Sequence, residues 1–363
     1  MSSISLSDII RSEGTWSLKF FKLADYFLGT LLCSLVPAQR TLESAPGPVT
    51  QILIIRPGGI GDAVFLLPIL KILRSQGMAI DILCEKRNAG VFAAQGYPAY
   101  LYNEIGQFDF VLKKSYDAVI DTEQWHYLSA LVAYFVKARY KIGFSTRPLR
   151  SKLFNKRVVY NENGYELENF IGLFNDFLPA INRPPDINHC FDVPLSLSQW
   201  VEPQLPQKSI SLFLGGSIGL RRFSQAQVRF FIEEALSKDY HVALLGGKDV
   251  EDTAVKVKED WPDGRILNFV GQISLLQSAA IIQRTQRFIG PDSGLMHLAC
   301  AVGTPVTAIF GPGNLNKWKP QGRRHKVIRH QVACAPCTRF GYTVTTCQKT
   351  YICVRDIPLE TSI

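Results

Sequence analysis

Short apolar runs recur along the whole chain, and between them lie stretches whose apolar positions fall three and four residues apart. Continuous apolar runs suit strands buried on both faces, and the spaced stretches suit helices laid over them. In the first half the runs predict strands at 52–55, 80–83, 99–102, 118–121 and 141–143. Helical patterns lie between these strands, with 128–137 the clearest, and 165–177 reads as a further helix. The second half restarts with strands at 209–214, 241–245, 265–268, 287–289 and 305–310, separated by helices near 225–237, 250–259 and 274–284. Regular alternation of this kind predicts an α/β fold in which each half builds a doubly wound parallel sheet. Such sheets bind ligands beyond the C-terminal ends of their strands. Proline-bearing connectors at 183–185 and 201–207 suggest a first domain over 49–200 and a second over 201–330, followed by a cysteine-bearing tail over 331–363.

Residues 16–37 read WSLKFFKLADYFLGTLLCSLVP. Trp16, Leu18, Phe20, Phe21, Leu23, Phe27, Leu28, Leu31 and Leu32 give an apolar helix interrupted by Lys19, Lys22 and Asp25. It suits two places, the surface of the first domain or a membrane interface. A linker at 44–48 joins this 1–48 extension to the first strand. No stretch reaches about 18 uncharged apolar residues, so no transmembrane helix is expected. The start, MSSISLSDIIRSEG, lacks the basic-then-apolar order of a secretory signal.

Three turns at strand ends carry candidate chemistry. Residues 288–312 read FIGPDSGLMHLACAVGTPVTAIFGP, a strand–helix–strand unit. Asp292, Ser293 and Gly294 open its helix, where outward N–H groups and the helix dipole attract anions. His297 lies about one turn further in, on a face that reaches the same place. The competing reading is an Asp/Ser cap. Residues 51–62, QILIIRPGGIGD, place a turn of Gly58, Gly59 and Gly61 after the first strand, with Asp62 at the helix start. The turn is not G-x-G-x-x-G and lacks the Lys-Ser/Thr of a P-loop. An anion binder would not carry Asp62 there, whereas a general base suits a carboxylate in a cleft; an N-cap is the alternative. After the strand at 209–214, Gly215, Gly216 and Ser217 precede Arg221 and Arg222. Glycines admit a diphosphate, Ser217 donates to it and an arginine grips its oxygens; the alternative is a solvated pair of arginines. Gly246, Gly247, Lys248 and Asp249 end another strand and Ile273 follows the next; where the bound anion is a nucleotide, the former border it and Ile273 touches its base.

At 363 residues the chain is long enough for two cores. A net charge of +9 and a pI near 9.1 favour an anionic partner. Nucleic acid is not expected, since no zinc-finger pattern, RNA-binding signature or long basic tract is present. Four of the eight cysteines, Cys334, Cys337, Cys347 and Cys353, are spaced C-x2-C-x9-C-x5-C. Free thiols are the default there, with zinc and disulfides as the alternatives.

Taken together, ILIIRPGGIGDAVFLLPIL, LGGSIGLRRFS, LLGGKDVEDTA and GPDSGLMHLACAVGTPVTAIFGP resemble glycosyltransferase family 9, the heptosyltransferase family of bacterial lipopolysaccharide synthesis. The likeness runs from about Ile52 to Pro320. It implies a GT-B fold, two Rossmann-like domains facing across a cleft, and an inverting transfer from a nucleotide sugar, typically ADP-heptose, without a metal or other cofactor. On this reading Asp62 is the base that deprotonates the acceptor, while Ser217, Arg221 and the N–H groups at Ser293 and Gly294 hold the leaving diphosphate. His297 hydrogen-bonds the phosphate or orients the helix start, and Asp292 is a cap or a ribose contact. A lipid-linked glycan acceptor then places the chain in the cytoplasm, in contact with an anionic membrane surface. Two departures stand out. Arg221 matches the lysine of the family's Lys-x-Trp-Pro pattern, but Phe223 and Ser224 replace its tryptophan and proline. Residues 311–315, Gly-Pro-Gly-Asn-Leu, replace Gly-Pro-Thr-Asp-Pro, which leaves the donor's identity open. A nucleotide-sugar epimerase of the same fold and a non-catalytic glycan-binding relative are the alternative functions.

Overall fold

The computed structural model describes residues 9–10, 16–45, 47–178, 185–216, 219–262, 264–339, 342–343, 347, 351–359 and 363. The chain forms two compact units, Met1–Asp186 and Ile187–Ile363. In the first, β1 (Gln51–Arg56), β2 (Ala79–Cys84), β3 (Ala99–Leu101), β4 (Ser115–Asp121), β5 (Lys137–Phe144) and β6 (Lys156–Val158) form one sheet in the order β3-β2-β1-β4-β5-β6. In the second, β7 (Ser209–Phe213), β8 (His241–Leu245), β9 (Ile266–Asn268), β10 (Phe288–Pro291), β11 (Val306–Phe310) and β12 (Lys326–Arg329) repeat that order, β9-β8-β7-β10-β11-β12. Every pairing in the two sheets is parallel. The sense of strand addition reverses between β1 and β4 and again between β7 and β10, and ligands bind at such points.

The central strands are apolar because both faces are covered: Ile52, Leu53, Ile54 and Ile55 are all buried. β6 and β12 escape sequence analysis because KRV and KVIR are edge segments too short and charged to show an apolar run. The helix expected at 128–137 is Tyr127–Phe135, and Lys137 already begins β5, since the alternating pattern of KARYKIGF belongs to a strand. Residues 187–200 group with the second unit rather than with a domain ending at 200. Their backbone is tied there, with the His189 and Phe191 N–H groups donating to the carbonyls of Cys300 and Ala301 at 3.3 and 2.9 Å.

The N-terminal extension packs on the first unit. Trp16–Ala24 is α-helical, Asp25–Gly29 is π-helical and Thr30–Leu35 is α-helical again. Asp25, Gly29 and Cys33 are buried at four-residue spacing. A Cβ on Gly29 would lie 2.6 Å from Cβ of Tyr127, so only glycine permits this approach. Asp25 caps the helix Tyr127–Phe135, accepting from the N–H groups of Tyr127 and Leu128 at 3.1 and 2.8 Å. The opposite face, with Phe20, Phe21, Phe27, Leu28, Leu31 and Leu35, is exposed. No described helix is long and apolar enough to cross a membrane.

Candidate active site

Both reversal points carry charged side chains. In the first unit β1 ends at Arg56, and the turn of Pro57, Gly58 and Gly59 leads into the helix Ile60–Ser75, which runs through Pro68. Gly58 has φ +117°, and a Cβ there would sit 3.0 Å from Nη2 of Arg56. The N-cap is Gly59, with no side-chain cap; Gly61 and Asp62 lie in the first turn. Asp62 is therefore not the N-cap. Its side chain is 26% exposed, and Oδ2 lies 3.4 Å from Nη2 of Arg56.

Arg56 is almost fully buried. It donates to Glu123 Oε2, the Thr122 carbonyl and the Pro57 carbonyl, each at 2.9 Å. Burial works against its charge, but Asp62 and Glu123 outweigh that and raise its pKa. Glu123 follows β4 at the reversal point, and its Oε1 accepts from the N–H groups of Gln124 and Trp125. Beneath it, the buried Arg150 pairs with Asp121 at 2.7 Å and also donates to the Phe144 and His126 carbonyls. Glu166, the first residue of the helix Glu166–Phe174, is buried too. It accepts from Nε2 of Gln124 at 2.6 Å and from the Tyr160 hydroxyl at 2.9 Å. Burial, and then the Asp62 carboxylate, push its carboxyl up to about 8. One carboxylate, Asp62, thus faces solvent beside a fixed guanidinium and a carboxyl that holds its proton at neutral pH. Glu123, Glu166 and the role of Arg56 are not evident from the sequence. The available signal is their position: Arg56 and Glu123 both fall at the C-terminal ends of adjacent parallel strands.

In the second unit, Arg221, Asp292, Ser293, Gly294 and His297 come together. β10 ends at Pro291 and the helix Gly294–Ala301 follows. Ser293 occupies the N-cap, yet its hydroxyl makes no capping bond and Oγ is buried without a hydrogen-bond partner. The simple cap reading is therefore not what the geometry shows. Nη1 of Arg221 lies 2.9 Å from Asp292 Oδ2 and donates to the Asp292 carbonyl at 3.0 Å; Nη2 donates to Thr338 Oγ1 at 3.2 Å. Arg221 is thus engaged, not a solvated loop cation. Burial raises the Asp292 carboxyl, and Arg221 opposes that rise. Burial, reinforced by Arg221, lowers His297 to about 3, so its imidazole is neutral at physiological pH. A Cβ on Gly313 would lie 2.0 Å from Asp292 Oδ2, so a larger residue there would displace the Asp292 carboxylate.

Neighbouring turns complete this region. Arg222 donates to the Gly216 carbonyl at 3.3 Å and pairs with Asp249, tying the turn after β7 to the turn after β8. Ser217 lies outside the described residues. Ile273 is half-buried and precedes Ser274, the cap of the helix Leu275–Arg284. In the tail, Cys334 is exposed, Cys337 and Cys347 are half-buried and Cys353 is buried. Among the described residues no disulfide joins cysteines, and no group of three His, Cys, Asp or Glu is placed to hold a metal ion.

A model of the family described as glycosyltransferase family 9 (heptosyltransferase) matches residues 110–346. Lipooligosaccharide heptosyltransferase 2 of Haemophilus ducreyi is 21% identical over 309 residues, covering 77% of this chain and 88% of that one. Lipopolysaccharide heptosyltransferase 3 of Escherichia coli is 28% identical over 100 residues, and the match spans only 27% of this chain and 29% of that protein. The structure of the E. coli ADP-heptose lps heptosyltransferase II superposes with a TM-score of 0.66 at 20% identity, covering 79% of this chain and 92% of that one. The two repeated sheets are accordingly of the GT-B type.

Proposed function

Because the chain belongs to glycosyltransferase family 9, we propose that it is an inverting, metal-independent heptosyltransferase that moves heptose from ADP-heptose onto a lipopolysaccharide-type glycan acceptor. The observation that carries this reading is Asp62, a solvent-facing carboxylate at a sheet reversal point, held by a buried arginine and not consumed as a helix cap. Asp62 takes the proton of the acceptor hydroxyl. The acceptor oxygen bonds to the anomeric carbon as the bond from that carbon to the diphosphate oxygen breaks, and the electron pair leaves with ADP. The sugar passes through an oxocarbenium-like state. Charge growing on the departing diphosphate is met by Arg221 and by the N–H groups at Ser293 and Gly294. In this scheme Arg221 exchanges Asp292 for phosphate oxygens, and neutral His297 donates a hydrogen bond. Direct displacement needs only a base and a cationic leaving-group site. The name of the E. coli structure supports ADP-heptose as the donor.

Calorimetric titration with ADP, followed by analysis of the glycosylated product, tests this reading. Native protein should bind ADP, and Arg221→Ala should bind it roughly tenfold or more weakly after loss of a charge-assisted contact. ADP release should require acceptor, and the new linkage should have the opposite anomeric configuration to the donor. Conversion of the donor without acceptor would identify an epimerase, and binding without turnover a non-catalytic relative.

A further inference from the structure

We propose that the outward face of the N-terminal helix is an interfacial docking surface for a bilayer containing anionic lipid. Phe20, Phe27, Leu31 and Leu35 recur along it, between 57% and 72% exposed. On the neighbouring helix Tyr127–Phe135, which carries no charged residue, Leu128 and Phe135 are exposed as well. An exposed apolar patch of this extent marks an interaction site.

Charge identifies the occupant. Between residues 16 and 42 the only acidic residue is Asp25, and it is buried as the cap of the neighbouring helix. Two lysines stand at the segment itself: Lys19 donates to the Ile10 carbonyl at 3.1 Å and Lys152 to the Ser34 carbonyl at 3.4 Å, both in exposed hydrogen bonds. A second copy meeting this face about a twofold axis would press like charges together. Anionic headgroups pair with them, while the aromatic and leucine side chains enter the acyl boundary.

The helix is also joined to the candidate base. Asp25 holds His126, Tyr127 and Leu128, and the same loop carries Glu123, which binds Arg56, which pairs with Asp62. A docked helix therefore fixes the Asp62 turn relative to the membrane plane. That consequence rests on the transferase reading with a lipid-linked acceptor; the docking itself does not.

Full-length protein is sedimented with phosphatidylcholine vesicles and with vesicles that also contain phosphatidylglycerol. Binding should be strong only to the mixed vesicles and should weaken as salt is raised. The double substitution Phe27→Glu, Leu31→Glu should lower vesicle affinity about tenfold or more, with melting temperature and ADP affinity kept. The apolar exchange Phe27→Leu, Leu31→Phe should retain binding. Native protein that ignores both vesicle types overturns the proposal, as does unchanged binding by the glutamate variant. A concentration-dependent dimer dissolved by the glutamate substitutions, without vesicle binding, would identify a second copy as the occupant. ADP titration of the same samples reports separately on the donor site.

Discussion

Arg56 decides the character of Asp62. A carboxylate at a helix start is ordinarily read as a cap or a dipole partner. Here Gly59 holds the cap position, and Arg56, committed to Glu123 and two carbonyls, presents an edge to Asp62 at 3.4 Å. The strand and the glycine turn mark Asp62 in the sequence, but its setting is not legible there. Glu123 and Glu166 lie far along the chain from Asp62, and spacing carries no sign of such contacts. Glu166 supplies a measurable consequence. Its folded-state pKa, about 8, lies above the ordinary 4.5, so the folded chain keeps a proton that the unfolded chain releases. The resulting stability is complete below about pH 4.5 and is lost as pH rises toward 8. Glu166→Gln cannot ionise, so its melting temperature should fall less than the native protein's between about pH 5 and pH 9. Parallel melting curves for the two proteins would show that Glu166 is ionised throughout.

At the scale of elements, the N-terminal helix satisfies the packing half of the sequence expectation through its Asp25, Gly29 and Cys33 stripe. Periodicity shows that this helix is amphipathic. It cannot show that the small and polar side faces the domain, because that depends on Tyr127 accepting a glycine at close range. Asp25→Ala should destabilise the protein by about 1–3 kcal/mol, since the N–H groups of Tyr127 and Leu128 lose a buried carboxylate acceptor. Urea unfolding reads this directly, and an unchanged midpoint would mean the cap is replaceable. Deleting the whole helix mixes effects, because the core loses Cys33 and the neighbouring helix loses its cap, so surface substitutions are the cleaner probe of lipid binding. Similar logic holds at Gly294–Ala301. GPDSG predicts a helix start with free donors, and the structure keeps Ser293 from closing it, but the pairing of Asp292 with Arg221 depends on Gly313 and on the fold of the tail around Thr338.

For the molecule as a whole, the central strands were legible because each is a continuous apolar run, and the doubling was legible because the alternation restarts near Ser209. Strand order comes from pairing, and it sets Asp62 at one reversal point and Arg221, Asp292 and Ser293 at the other. Edge strands and the division after Asp186 depend on long-range hydrogen bonds that local patterns do not encode. The charge of +9 suits both proposed partners, a nucleoside diphosphate and an anionic lipid surface.

Asp62, in the proposed function, is the base of an acceptor-dependent glycosyl transfer. Asp62→Asn keeps the size of the side chain and removes its negative charge, and with it its basicity and its ion pair with Arg56. ADP release from ADP-heptose, followed with and without a lipopolysaccharide-type acceptor, should fall by roughly 10²–10⁴-fold in this variant, with ADP affinity and melting temperature close to native. Near-native acceptor-dependent release by the purified Asp62→Asn protein would contradict the claim.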